Sequence, residues 1–211
     1  MSQNRSSAVM QQRVAPRDGL DFFPTPPWAT RALCERLKAD QDLAAMVCWE
    51  PACGEGHMAR PLSEYFGQVL ASDVHPYGFG DVHDFLMPDP LSPGPRANWI
   101  VTNPPFRLAG QFIGKALAVA QDGIAVLVRS ALTESVSRYE YLFRDHPPSL
   151  ILHFAERVPM VKCRLDPNAS TATAYIWMVW FRGDRGWGSG ACTAEWIAPC
   201  RRRLERPGDY A

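Results

Sequence analysis

Apolar positions along the chain fall into short runs separated by stretches with helical spacing. Met46–Trp49, Gln68–Asp73, Trp99–Thr102, Gly123–Val128, Leu150–Phe154 and Tyr175–Phe181 read as strands. Gly123–Val128 is apolar without interruption, as a strand buried on both faces requires. Trp28–Lys38 places Trp28, Ala29, Ala32, Leu33 and Leu37 at helical intervals, which predicts a helix with Pro27 at its first position and Thr25 as its cap. Helices are also predicted from about His57 to Phe66, along the face formed by Leu108, Phe112, Ile113, Ala116, Leu117 and Ala120, and through Tyr139–Arg144 up to His146-Pro147-Pro148. Before the first helix, Pro24, Pro26 and Pro27 enforce an extended strap over Asp21–Pro27. Residues 76–97 read as a connection with Asp84-Phe85-Leu86 as a short ordered piece, and 156–173 as a long polar loop. Strands alternating with helices predict an α/β fold with a mostly parallel sheet covered on both faces. Ligands in such sheets sit beyond the carboxyl ends of the strands.

The 211 residues fit one domain over 21–182, with a flexible arm at 1–20 and a tail at 183–211 that shows no period. Lys plus Arg number 22 and Asp plus Glu number 22, so no global positive field steers the chain to nucleic acid; such a partner must be met by a local patch. The six cysteines are scattered without metal-ligand spacing, which predicts reduced thiols, no metal site and a cytoplasmic setting. No apolar run approaches the ~18 residues of a membrane span.

Three strand ends carry chemistry. The first is Glu50-Pro51-Ala52-Cys53-Gly54-Glu55-Gly56, a glycine turn opening toward a helix. Glu50 and Glu55 would repel a pyrophosphate there and favour a nucleoside-like ligand with a positive centre. The second is Asp73, placed to accept ribose hydroxyls, with Asp84 and Phe85 as candidates for an adenine amino group and its ring face. The third is Asn103-Pro104-Pro105-Phe106. Its prolines hold Asn103 and Pro104 extended, so the Asn103 side-chain oxygen and the Pro104 carbonyl can accept both hydrogens of one exocyclic amine. Phe106 would offer a face to a planar base. Loop 156–173 carries a net +1, and segment 201–206 a net +3 from Arg201, Arg202, Arg203 and Arg206 against Glu205. Either is a solvated face or a phosphate contact. Tyr139, Tyr141, Trp187 and Trp196 are stacking candidates for which core packing is the simpler expectation.

The glycine turn resembles the cofactor motif of class I S-adenosylmethionine-dependent methyltransferases, and Asn103-Pro104-Pro105-Phe106 resembles the catalytic (D/N/S)-P-P-(Y/F) motif of members that methylate amines. Asp21-Phe22-Phe23-Pro24-Thr25-Pro26 resembles the strap of N6-adenine DNA methyltransferases, especially small phage-type ones, and the motif order is that of their gamma arrangement. The resemblance covers about 20–182. It implies a Rossmann-like fold with a seven-stranded sheet and S-adenosyl-L-methionine as cofactor, held by Phe23, Pro24, Thr25, Glu50, Pro51, Cys53, Gly54, Asp73, Asp84, Phe85 and Asn103. It implies catalysis by Asn103, Pro104, Pro105 and Phe106 on adenine N6 in DNA, with Arg107, Arg157, Lys162, Arg164, Arg201, Arg202 and Arg203 as nucleic-acid contacts. RNA base-amine and protein glutamine methyltransferases share the catalytic motif and stand as alternatives, as does a binding module that keeps the fold without the chemistry. Gamma enzymes usually carry a separate target-recognition domain, whereas only 183–211 follows the last expected strand here.

Overall fold

A computed structural model describes residues 21–87, 96–183, 186–187 and 191–210. The arm expected at 1–20 lies outside the described residues. Helix α1 (Pro27–Leu37) starts at the expected proline and follows an extended Pro26. Strand β1 (Val47–Glu50) comes next, then a short helix α2 (Ala59–Leu62), β2 (Gln68–Asp73), β3 (Asp81–Val82) and β4 (Trp99–Thr102). Helix α3 (Ala109–Val119) leads to β5 (Gly123–Arg129), a short α4 (Val136–Arg138) and β6 (Leu150–Phe154). The chain closes with β7 (Tyr175–Gly183), β8 (Gly186–Trp187), β9 (Thr193–Ile197) and α5 (Arg201–Leu204).

The strands form one sheet in the order β3-β2-β1-β4-β5-β7-β6-β9, with β8 paired to β7. Strands β1 to β5 run parallel, and β7 is antiparallel to both β5 and β6. The order reverses between β1 and β4, so a crevice opens beyond their carboxyl ends. The α/β expectation holds, with nine strands among the described residues where seven were expected.

Both faces of the sheet are covered, and the sequence shows how. In β5, Ala125 and Leu127 point to the core under α1, while Ile124, Val126 and Val128 point to the core under α3. In β7, Tyr175, Trp177 and Val179 alternate with Ile176, Met178 and Trp180 in the same way. Two of the buried indoles have their N–H groups satisfied: Trp177 donates to the Ala29 carbonyl and Trp99 to Gln41 Oε1, while the indole N–H of Trp28 has no partner among the described residues.

Four expectations are corrected. The helix expected over about 57–66 is regular only across Ala59–Leu62, although single-turn bonds run on to Phe66. Pro61 has no N–H to donate, and Gly54 and Gly56 sit at φ +51° and +84°, which delays the helix. Thr25 does not cap α1, because its hydroxyl accepts from Asn103 instead. The segment through Tyr139 opens earlier, at α4, where the Ser135 hydroxyl accepts from the Arg138 amide, and continues as a π-helical turn over Tyr139–Phe143. The region beyond 183 is more than a tail. Strand β9 pairs in parallel with β6, and Cys200 and Leu204 are buried in the core under α1.

Candidate active site

A cleft of about 400 Å³ opens at the reversal of strand order. Glu50, Pro51, Ala52 and Cys53 line it from the end of β1, and Asp73, Val74, His75 and Tyr77 from the end of β2. Asp84, Phe85 and Leu86 close one side. Asn103, Pro105, Leu108 and Phe112 form the other, and the strap Asp21–Thr25 lies across the top. The structure therefore gathers most of the expected cofactor residues around one cavity. Gly54 is adjacent without lining it, and Pro104 and Phe106 lie beyond its wall.

The glycine turn is held from within. Asp73 Oδ2 accepts the Gly54 amide at 2.9 Å, and Asp73 Oδ1 accepts the His75 amide at 3.0 Å. Each oxygen keeps a further lone pair for a ligand. The strap's Phe22 ring lies against Gly54, where any Cβ would overlap it. The close approach that glycine permits is thus taken by the chain itself.

Glu50 is 2% exposed and its Oε2 has no hydrogen-bond partner among the described residues. Burial raises its pKa well above the carboxylate range, the charge of Asp73 adds to that, and the Ala59 amide opposes it. A buried, unpartnered carboxyl is a demand for a donor or a cation. Glu55, expected to share this role, is exposed and points out of the cleft. Cys53 is pushed up to about 12, first by burial and then by Glu50 and Asp73, so it stays a thiol. Asp84 Oδ1 accepts the Leu86 amide, and Phe85 is buried edge-on to Trp49 with ring centres 5.1 Å apart.

Asn103 is the most constrained polar group. Its Nδ2 donates to the Phe23 carbonyl at 2.9 Å and to Thr25 Oγ1 at 3.0 Å, with Met160 Sδ at 3.7 Å. A carbonyl can only accept, so this contact decides which way the amide faces. Asn103 Oδ1 is left without a partner and without solvent. The oxygen was expected in the open, whereas it lies buried under the strap and the Met160 loop. The Phe106 amide donates to Asp21 Oδ2 at 2.7 Å. Its ring is not an open platform: the Arg129 guanidinium lies over it at 3.9 Å, and Phe23 and Tyr175 flank it at 5.1 and 6.1 Å.

Sequence reasoning missed the clasp made by the strap. Asp21 holds Phe106, the Phe23 carbonyl and Thr25 hold Asn103, and the Phe22 carbonyl accepts the Cys163 amide. It also missed His57, whose buried Nδ1 has no partner and whose pKa is lowered mainly by desolvation. Several proposed phosphate contacts are engaged elsewhere. Arg201 bonds Glu205 and the Pro167 carbonyl, Arg203 bonds Glu35, and Arg164 pairs with Asp166. Arg107, Arg157 and Arg202 are exposed, and Lys162 is half-buried. Tyr139, Tyr141 and Trp196 are exposed rather than packed in the core, whereas Trp187 is half-buried and donates to the Leu117 carbonyl.

No protein-family model and no curated protein matches the chain. Solved structures do. A Pyrococcus horikoshii protein provisionally assigned as an RNA methyltransferase aligns with TM-score 0.58 at 15% identity, over 82% of this chain and 94% of that one. A modification subunit from Vibrio vulnificus, provisionally assigned to a type I restriction enzyme, aligns with TM-score 0.55 at 16% identity over 90% of this chain. This chain covers about half of it, 49%. Magnesium protoporphyrin IX methyltransferase from Synechocystis, solved with S-adenosylmethionine bound, aligns with TM-score 0.50 at 13% identity, over 74% of this chain and 79% of that one. At such identities the likeness shows the fold, which is the Rossmann-like fold of class I methyltransferases.

Proposed function

We propose that this protein methylates the exocyclic N6 amine of adenine in DNA, using S-adenosyl-L-methionine. The observation that carries the reading is the amide of Asn103, turned by the Phe23 carbonyl so that its oxygen is an unpartnered acceptor at the cleft wall. The cofactor brings a methyl group already activated on a sulfonium, so the protein needs to supply position and charge stabilisation.

The residues of the cleft fit that cofactor. The orphaned Glu50 Oε2 is a place for a positive centre, and the free lone pairs of Asp73 suit ribose hydroxyls. Asp84 and Phe85, which line the cleft, would receive a purine edge and ring. His57, neutral at pH 7 with an unpartnered Nδ1, adds one donor or acceptor. Asn103 Oδ1 would accept one amine hydrogen, and the Pro104 carbonyl, just beyond the cleft wall, the other. Both would stabilise positive charge on N6 until its proton leaves to solvent. A target within a duplex must first be turned out of the stack, at a cost of a few kcal/mol.

Arg107, Arg157, Lys162 and Arg202 are our candidates for phosphate contact. The cytoplasm is the compartment this reading needs, and no helix among the described residues is long and apolar enough to cross a membrane. The test is transfer of a labelled methyl group to adenine-containing DNA, RNA and glutamine peptide in parallel. Labelled N6-methyladenine from DNA alone supports the reading. Label only in RNA or peptide would move the assignment to that substrate, and label in none, with cofactor bound, would leave a binding module.

A further inference from the structure

Arg129 ends β5, one strand beyond Asn103 and on the side of it away from the cofactor cleft. Its guanidinium lies 3.9 Å from the centre of the Phe106 ring and 5.8 Å from that of Phe23. The hydroxyl of Tyr175, 5% exposed at the start of β7, accepts a hydrogen bond from it. Arg129 Nε is buried without a hydrogen-bond partner, and no carboxylate forms an ion pair with Arg129 among the described residues. A half-buried cation with neither a counter-charge nor a full set of acceptors is a poor structural element. Two other internal arginines show the contrast: Arg31 meets two carboxylates and a carbonyl, and Arg36 meets two carboxylates. What Arg129 does have is a flat delocalised plane laid on an aromatic face. A planar base stacking on Phe106 needs that same face.

We propose that Arg129 is the placeholder of the target-base site. In the ligand-free molecule its guanidinium fills the stacking face of Phe106, and a planar amine-bearing base enters by displacing it. This rests on the reading of Phe106 as the target platform. It adds a residue that sets the threshold for base entry. The aromatic wall is kept filled while no base is present, and each entering base must replace a cation–π contact by its own stacking.

The experiment compares wild type with Arg129→Ala and with Arg129→Leu, which keeps an apolar stem against Phe106. The probe is the uncharged 2-aminopurine deoxynucleoside, and its fluorescence quenching is titrated with the cleft saturated by S-adenosylhomocysteine, so that the probe reads the target site. Both variants are expected to bind it about 2- to 20-fold more tightly than wild type, the range of a cation–π contact removed from the competing state. Weaker or unchanged binding in a variant whose urea unfolding matches wild type would overturn the placeholder, as would no quenching in any of the three proteins. Methyl transfer to DNA by the wild-type protein, measured alongside, tests the underlying reading on its own. Transfer without tighter probe binding overturns only the role of Arg129.

Discussion

At the scale of single residues, the site is a set of polar atoms whose orientation is fixed by groups far away in sequence. The Phe106 amide depends on Asp21, 85 positions earlier. Asp21→Ala is expected to lower kcat about tenfold with cofactor affinity unchanged, since a hydrogen bond to a charged acceptor is worth roughly 1.5–3 kcal/mol and part of it holds the loop. Asp21→Asn, which can still accept, should restore most of the rate. Full activity of Asp21→Ala would remove the strap from the mechanism. Glu50 makes a second prediction, with a definite sign. Burial raises its folded-state pKa, so its unfavourable ionisation is absent at pH 4 and grows as pH rises from the ordinary carboxylate value through the folded one. Urea stability of the ligand-free protein should therefore fall with rising pH over that window, and Glu50→Gln should flatten the curve. A bound cation favours the carboxylate, so cofactor binding should release a proton. Calorimetry in buffers of different ionisation enthalpy reads this, and no proton release would place the positive centre elsewhere.

At the scale of elements, the strands were legible and the clasp was not. β5 and β7 carry apolar side chains on both faces, which announces them in any window of sequence. The three strand ends pointed to one cleft for the same reason. By contrast, Thr193–Ile197 is mostly exposed and weakly patterned, and it becomes a strand because β6 offers it an edge. The strap's prolines announced an extended segment, but its contacts with Asn103 and Phe106 span about 80 residues and leave no local signal. The arginines at 201–203 looked like a charged surface, and only folding brings Glu35 to Arg203. The C-terminal segment is also fastened by Arg31, 3% exposed, which bonds Glu64, Asp209 and the Leu204 carbonyl. Arg31→Ala leaves Asp209 buried without its cation, so stability should fall by about 3 kcal/mol with an unchanged urea m-value. A loss under 1 kcal/mol would show that this segment is held by its apolar contacts alone.

At the scale of the whole molecule, the net charge is zero, and among the described residues Arg164, Arg201 and Arg203 are paired with carboxylates. If about three phosphates are neutralised, log affinity for duplex DNA should fall with log salt at a slope near −3. Arg157→Glu with Lys162→Glu should make that slope shallower, while Arg203→Glu should lower stability and leave it alone. A slope steeper than about −6 would mean that a larger basic surface forms on DNA. The fold brings a cleft of about 400 Å³ and an oriented acceptor to the same point of reversed strand order, and the account stands on their joint use. Its most direct test is methyl transfer to adenine-containing DNA by Asn103→Ala beside wild type, with S-adenosylmethionine affinity measured on both. The account predicts a rate at least about 100-fold lower, the scale for losing one preorganised acceptor, with affinity within about threefold of wild type. Equal rates in the two proteins would contradict it.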